Sequence, residues 1–273
     1  MFGKLIKHEL RHSARYNLVI YLVAVAVTLV MALSLVTEST TLGVVSCFAI
    51  YITGFATVLV TLVSVIKNFY DTLYSRQGYL TLTLPVKSSE LLASKVIVSF
   101  IWIIVGFLIM ALTWVSIFFY VKEQTQASFD VVKILFSDSG LLDMLPSGFV
   151  VAQVLVVFGV IALSKILTYV GYIYFAVTVA NTRSFQTHPK FFGGATFFVV
   201  MVVISKINNF LTQKAPLTFF VTNEKAFFAF EPMGGVDGAL ISYGVGGTLF
   251  TGLVALALLI CTAYIIEHKV NIK

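Results

Sequence analysis

Charge is scarce in this chain: 11% of its residues are Asp, Glu, Lys or Arg, against roughly 25% in a soluble domain. That excludes a water-soluble globular protein. Cysteine is almost missing. Cys47 and Cys261 are the only two, and both fall inside apolar runs, where lone thiols behave as small hydrophobes. No GxxxxGK[ST] loop occurs, so the chain has no P-loop with which to bind ATP. No GxSxG elbow marks a serine nucleophile. The apolar runs hold few acids, which leaves a proton-relay carrier without its carboxylates. The basic residues behind the net charge of +6 are spread over short loops. They form no patch of the kind that grips nucleic acid.

What the chain does have is length of apolar run. Apolar residues make up 59% of it, and a helical span needs roughly 20 in succession. Six candidates appear: Asn17–Val36, Gly43–Ile66, Val96–Val121, Ser147–Ala180, Phe191–Ile207 and Gly238–Ile266. Uninterrupted runs must satisfy their own backbone in lipid, which predicts helices rather than the short alternating segments of a barrel. The expected fold is all-α, a single six-span membrane domain over residues 1–273.

Lys and Arg set the orientation. With six spans, one face carries Lys4, Lys7, Arg11, Arg15, Lys67, Arg76, Lys87, Lys95, Arg183, Lys190, Lys269 and Lys273; the other carries Lys122, Lys133, Lys206, Lys214 and Lys225. The richer face is cytoplasmic, so both termini are expected there. The first run is too long for a cleavable signal and lacks a small-residue cleavage site, so it reads as a retained helix.

The segments between the runs differ in character. Residues 1–15 form an amphipathic stretch. Phe2, Leu5, Ile6, Leu10 and Ser13 share one helical face; Lys4, Lys7, His8, Arg11 and Arg15 share the other. Such a helix lies in the interface between lipid tails and phosphates. It serves as an anchor, and is also suited to packing on a cytoplasmic partner. The loop Thr37–Leu42 is short, which makes the first two spans a tight antiparallel pair. The outer loop Lys122–Pro146 is polar, with four acids. The Ser147–Ala180 run exceeds one perpendicular span; the span is expected near Phe158–Ala180, with Ser147–Val157 as an outer extension. Lys165 sits inside it. An ionisable group there is a candidate for a translocation path, or else a side chain snorkelling to the outer interface. Residues 208–237 carry Phe210 and then, between Pro216 and Pro232, Phe219, Phe220, Phe227, Phe228 and Phe230. They are too broken to span and too aromatic for a solvated loop, so a re-entrant or interfacial hairpin is expected. Gly244, Thr248 and Gly252 recur every four residues, a spacing that permits close helix contact.

Two motifs need weighing. His8-Glu9-Leu10-Arg11-His12 is a literal HExxH, which on a helix sets two imidazoles on one face with a glutamate as general base. A catalytic zinc takes three protein ligands in an enclosed site. The chain has only His188 and His268 besides, and no carboxylate clearly supplies the third. The second motif is the polar stretch 67–95. Asn68–Gln77 reads as a short helix, with Phe69, Leu73 and Tyr74 on one side and Asp71, Arg76 and Gln77 elsewhere. Gly78 stands where a left-handed cap would end it. Then come an extended strip from Tyr79 to Leu84, Pro85 as a breaker, and Ser88 or Ser89 capping a new helix with Glu90 at its positive end. That suits a rigid knob beneath the membrane.

The run Gly78-Tyr79-Leu80-Thr81-Leu82-Thr83-Leu84-Pro85-Val86-Lys87-Ser88-Ser89-Glu90-Leu91-Leu92-Ala93-Ser94-Lys95 resembles the region after the second span in permease subunits of the second class of ATP-binding-cassette exporters. The opening Met1-Phe2-Gly3-Lys4-Leu5-Ile6-Lys7-His8-Glu9-Leu10 is similar to the start of such permeases in Gram-positive bacteria. That likeness accounts for Lys-His-Glu without zinc. The resemblance implies a bacterial plasma-membrane permease, itself no enzyme and without cofactor. Two permeases, identical or homologous, would pair in the lipid bilayer over P-loop ATPase subunits that bind ATP and Mg. Phe69, Asp71, Tyr74, Arg76, Gln77, Gly78 and Tyr79 would form a coupling helix docked in the ATPase. An elbow helix bearing Lys4, Lys7, Glu9 and Arg11 would flank it, and the hairpin before the last span would resemble an exit-side gate. Cargo would be hydrophobic or amphipathic: a peptide, an antibiotic or a lipid-like molecule, as in antimicrobial peptide resistance. The alternative is a membrane immunity or sensor protein that binds a peptide without moving it.

Overall fold

The computed structural model describes residues 2–75, 78, 88–125, 148–182, 185, 187–222, 225–236 and 238–268, with the backbone alone at 118, 121–125, 148–151 and 240. It is mostly helical, 83%, and six of its helices are long and apolar enough to cross a membrane. The chain divides into two compact units, residues 1–130 and 131–271.

The first unit holds α1 (Phe2–Val36), α2 (Thr40–Leu73) and α3 (Ser88–Thr125). Its interior mixes polar and apolar side chains, and its exterior is apolar. Glu9, Ser13, Asn17, Tyr21, Ala24, Met31 and Ser34 are the buried residues of α1, while Leu18, Val19, Leu22, Leu29 and Leu33 are exposed. Helix α2 buries Gly43, Ser46, Gly54, Thr57, Thr61, Ser64, Asn68 and Thr72 beside a few larger side chains. Lipid tails are as apolar as leucine, so outward leucines cost nothing there, and small inward residues let helices approach closely. The buried hydroxyls bond back to their own helix, as in Thr57 to the Thr53 carbonyl at 2.7 Å and Thr61 to the Thr57 carbonyl at 2.8 Å. Gly43 is the tightest approach: a Cβ there would overlap the Tyr120 ring. Tyr120 in turn donates to the Thr40 carbonyl at 3.3 Å. Helices α1 and α3 run parallel and α2 antiparallel to both. Tyr21 accordingly meets Thr61 and Trp102, and Met31 meets Ser46. The turn between α1 and α2 is shorter than expected, Thr37 to Ser39, with Glu38 at a left-handed φ of 52°.

The second unit holds α4 (Gly148–Ala180), α5 (Pro189–Lys214), β1 (Thr218–Thr222), β2 (Ala226–Ala229), β3 (Ala239–Gly244) and α6 (Val245–His268). Helices α4 and α6 run parallel. Ser164 donates to the Thr248 carbonyl at 3.1 Å, and Gly171 faces Ala255. A Cβ on Gly252 would lie 2.6 Å from Ser164 Oγ, so Thr248 and Gly252 do make the close contact their spacing suggests. Gly244 does not join them; it is the last residue of β3.

Three expectations change. The chain is not all helical, because residues 218–244 build a three-stranded antiparallel sheet of order β2-β1-β3. Its strands are rich in Phe, Val and Thr, which suit a pleated, half-buried surface. The aromatic segment 208–237 thus splits: Asn208–Lys214 complete α5, and the rest contributes the β1–β2 hairpin. Helix α4 is continuous from Gly148, so the extension and the span are one helix. Of the expected interfacial stretch 1–15, residues 2–15 likewise run into the first span without a break as α1.

Candidate functional site

Glu9 and Lys95 meet at the end where α1 and α3 begin and α2 finishes. Glu9 faces inward because it lies on the row Glu9, Ser13, Asn17, Tyr21, four residues apart, which a helix stacks on one face. Lys95 stands two turns into α3. Lys95 Nζ donates to Glu9 Oε1 at 2.6 Å, and both side chains are shut from solvent, 0% and 5% exposed. Lys95 also donates to Thr72 Oγ1. Asn68 Nδ2 donates to the second carboxylate oxygen, Glu9 Oε2, at 3.1 Å. His12 Nδ1 lies 3.0 Å from Asn68 Oδ1, a pairing that places the imidazole proton on Nδ1. One turn further in, Trp102 Nε1 donates to Ser13 Oγ at 2.7 Å, and Ser13 donates to the Glu9 carbonyl at 2.7 Å. Tyr21 donates to the Trp102 carbonyl at 3.1 Å.

Each helix supplies partners to the other two. Removing one member of a buried pair strands its partner without water and costs about 3–5 kcal/mol. The cluster therefore clamps the last two turns of α2 to α1 and α3. Both carboxylate oxygens of Glu9 accept within it, one from Lys95 and one from Asn68. The HExxH pattern is thus taken up by the clamp, with His8 exposed and His12 turned to Asn68.

The residues expected to form a coupling helix distribute differently from a separate short helix. Asn68–Leu73 are the end of α2 itself, and the Tyr74 N–H closes it on the Tyr70 carbonyl at 2.8 Å. Phe69 and Leu73 are fully buried in the bundle, since the knob continues the inward stripe of the span. Asp71 and Tyr74 are half-buried. The helix stops five residues before Gly78, so Gly78 is not its cap. Gly78 instead folds back so closely that a Cβ would meet the Leu73 carbonyl. Arg76, Gln77 and Tyr79 lie outside the described residues. Of the elbow residues, Lys4, Lys7 and Arg11 are exposed and Glu9 is buried. Lys165 is half-buried. Its neighbour Ser164 is level with Thr248, one turn inside the start of α6, a depth from which a lysine stem reaches the headgroups.

Sequence reasoning missed Lys95, Asn68, Thr72, Ser13 and Trp102. Lys95 read as one more loop lysine. The available signal was the row from Glu9 to Tyr21, four polar residues in register on the face opposite Leu18 and Leu22.

Compared with family models, with curated proteins and with solved structures, the chain matches none.

Proposed function

We propose that this chain is the transmembrane subunit of a bacterial ATP-binding-cassette exporter of the second class, moving a hydrophobic or amphipathic molecule with ATP hydrolysed by a separate P-loop subunit. The observation that carries the reading is the clamp at the end of α2. Asn68 and Thr72 are bonded to Glu9 and Lys95, so a push on the segment that follows, 74–79, reaches α1 and α3 together. A plain connecting loop has no use for such rigidity; a lever does. The likeness of Gly78–Lys95 to the coupling region of these permeases supports the same assignment. So do six apolar helices, with the Lys- and Arg-rich face and both termini in the cytoplasm.

Asp71, Tyr74, Arg76, Gln77, Gly78 and Tyr79 would meet the ATPase, and Phe69 would transmit the contact from inside the bundle. Lys4, Lys7 and Arg11 would hold the N-terminal turns of α1 against lipid phosphates and the ATPase flank. The second permease of the pair is identical or homologous. The test is a mild-detergent pull-down of the tagged chain from its native membrane, with mass spectrometry of its companions. The expected result is a P-loop ATPase, lost when Arg76 and Tyr79 are replaced. Recovery of the chain alone, with its cellular function indifferent to ATP depletion, would overturn the reading in favour of a sensor or immunity protein.

A further inference from the structure

The three-stranded sheet and the segment after β2 expose large apolar side chains that packing in the second unit leaves uncovered. Phe228 is 54% exposed, Phe230 77% and Met233 59%. One face of the sheet is well buried: Phe219 and Val221, with Val245, pack against Val154, Val157 and Ile161 of α4. The opposite face, with Phe220, is closed by the segment after β2, where Met233 lies against Gly244. Phe228, Phe230 and Met233 remain outside this small core.

Covalent geometry ties the sheet to the start of α6. Strand β3 passes into α6 without a linker, Gly244 to Val245. The Val245 and Gly246 N–H groups both donate to the Leu217 carbonyl, at 2.9 and 3.0 Å, which ties the first turn of α6 to the entry of β1. Helix α6 has 24 residues, about 36 Å of rise, enough to fill the roughly 30 Å hydrocarbon core alone. A helix of that length crosses the core without help from the sheet, which leaves the sheet free to lie at the core's edge. Alongside it, Leu155, Val156 and Val160 on the outward side of α4 are exposed too, so the apolar belt of the spans continues to that level.

Two physical limits then bracket its environment. Strands β2 and β3 are the sheet's edges, and open edges are not tolerated in hydrocarbon, where their N–H and C=O groups find no partner. Bulk water is a poor solvent for apolar surface of this kind, with Phe228 beside Phe219 on one face of the sheet and Met233 beside Gly244 on the other. The headgroup layer satisfies both, supplying water to the edges and apolar contact to aromatic rings. Charge is no part of the attraction: residues 215–244 carry one lysine, Lys225, against Glu224, Glu231 and Asp237.

We propose that the sheet is an interfacial anchor, lying in the headgroup layer at the membrane surface where α5 ends and α6 begins, held by Phe228, Phe230 and Met233 through apolar burial rather than charge. The inference does not rest on the transporter reading. The test uses the full chain with Cys47→Ala and Cys261→Ala, carrying one spin-labelled cysteine at a time in place of Phe228, Phe230 or Met233. The protein is reconstituted in phosphatidylcholine–phosphatidylethanolamine vesicles, and Val19→Cys serves as a lipid-facing reference. The expected result is collision with oxygen in preference to a water-soluble nickel chelate at all three positions, at a depth of about 5–10 Å below the headgroup boundary. That depth should hold when phosphatidylglycerol or high salt is added. Ready access of nickel would overturn the proposal by placing the sheet in water. Screening from both reagents would overturn it by showing a protein cover, a second copy included. Immersion that appears only with anionic lipid would overturn the apolar basis.

Discussion

Glu9 and Lys95 lie 86 positions apart, and their side chains meet at 2.6 Å in the interior of the first helical unit. Nothing in the local sequence of either residue requires the other. The pair arises because α1 and α3 run parallel and both begin at the end where α2 closes. Its stability comes from company: Asn68 Nδ2 donates to the other carboxylate oxygen and Thr72 Oγ1 accepts a hydrogen bond from the lysine. The following predictions rest on that arrangement and on the packing around it.

Lys95→Met alone should destabilise the protein by about 3–5 kcal/mol, because Glu9 is left charged and unpaired out of reach of water. Glu9→Gln alone should cost a similar amount. The double variant Glu9→Leu/Lys95→Met should return close to the wild-type melting temperature, since matched apolar replacements remove both desolvation penalties. Thermal unfolding in detergent followed by circular dichroism measures all three; additive losses would show that the two side chains do not interact.

Ser13→Ala should cost about 1–3 kcal/mol, the penalty of leaving a buried donor unsatisfied, here Trp102 Nε1. Trp102→Phe removes that donor and leaves Ser13 still donating to the Glu9 carbonyl. In a Trp102→Phe background, Ser13→Ala should therefore cost clearly less. A double-mutant cycle on the same melting curves gives the coupling.

Phe69 and Asp71 should separate stability from docking. Phe69→Ala opens a cavity in the bundle and should lower stability by about 3–5 kcal/mol. Asp71→Ala, half-buried near the end of α2, should leave the melting temperature within a few degrees of wild type. If α2 ends on an ATPase, Asp71→Ala should weaken co-purification of that subunit while the chain itself remains folded.

Gly43→Ala should weaken the contact between α2 and α3, because the added methyl overlaps the Tyr120 ring. Tyr120→Ala in the same chain should restore expression and monodispersity on size-exclusion chromatography by clearing the space. Failure of the second substitution to rescue the first would place the steric conflict elsewhere.

Six helices were legible from run length alone, because a chain that must satisfy its backbone in hydrocarbon leaves an unbroken apolar record. The candidate site was half legible. Residues 1–15 and 67–95 stood out as polar flanks, and the clamp is built from them. Their partnership was not legible, because which of many lysines turns inward depends on helix phase. Lys87 and Lys95 look alike on paper. Phe69 looked like a docking residue because a short helix was phased by itself; once it continues α2, the same ring faces the bundle.

The sheet shows the same division from the other side. The clustering of Phe between Pro216 and Pro232 set that segment apart from the spans, and amino-acid content was sufficient for that. Pairing β1 with both β2 and β3 required residues up to 26 positions apart, Thr218 and Gly244, to meet in register, and such non-local pairing leaves no periodic trace in so short a strand. Composition thus decided the solvent, and with it the helical spans. Tertiary packing decided which polar residues face inward, because in lipid the free energy lies in satisfying those few groups rather than in burying the many apolar ones.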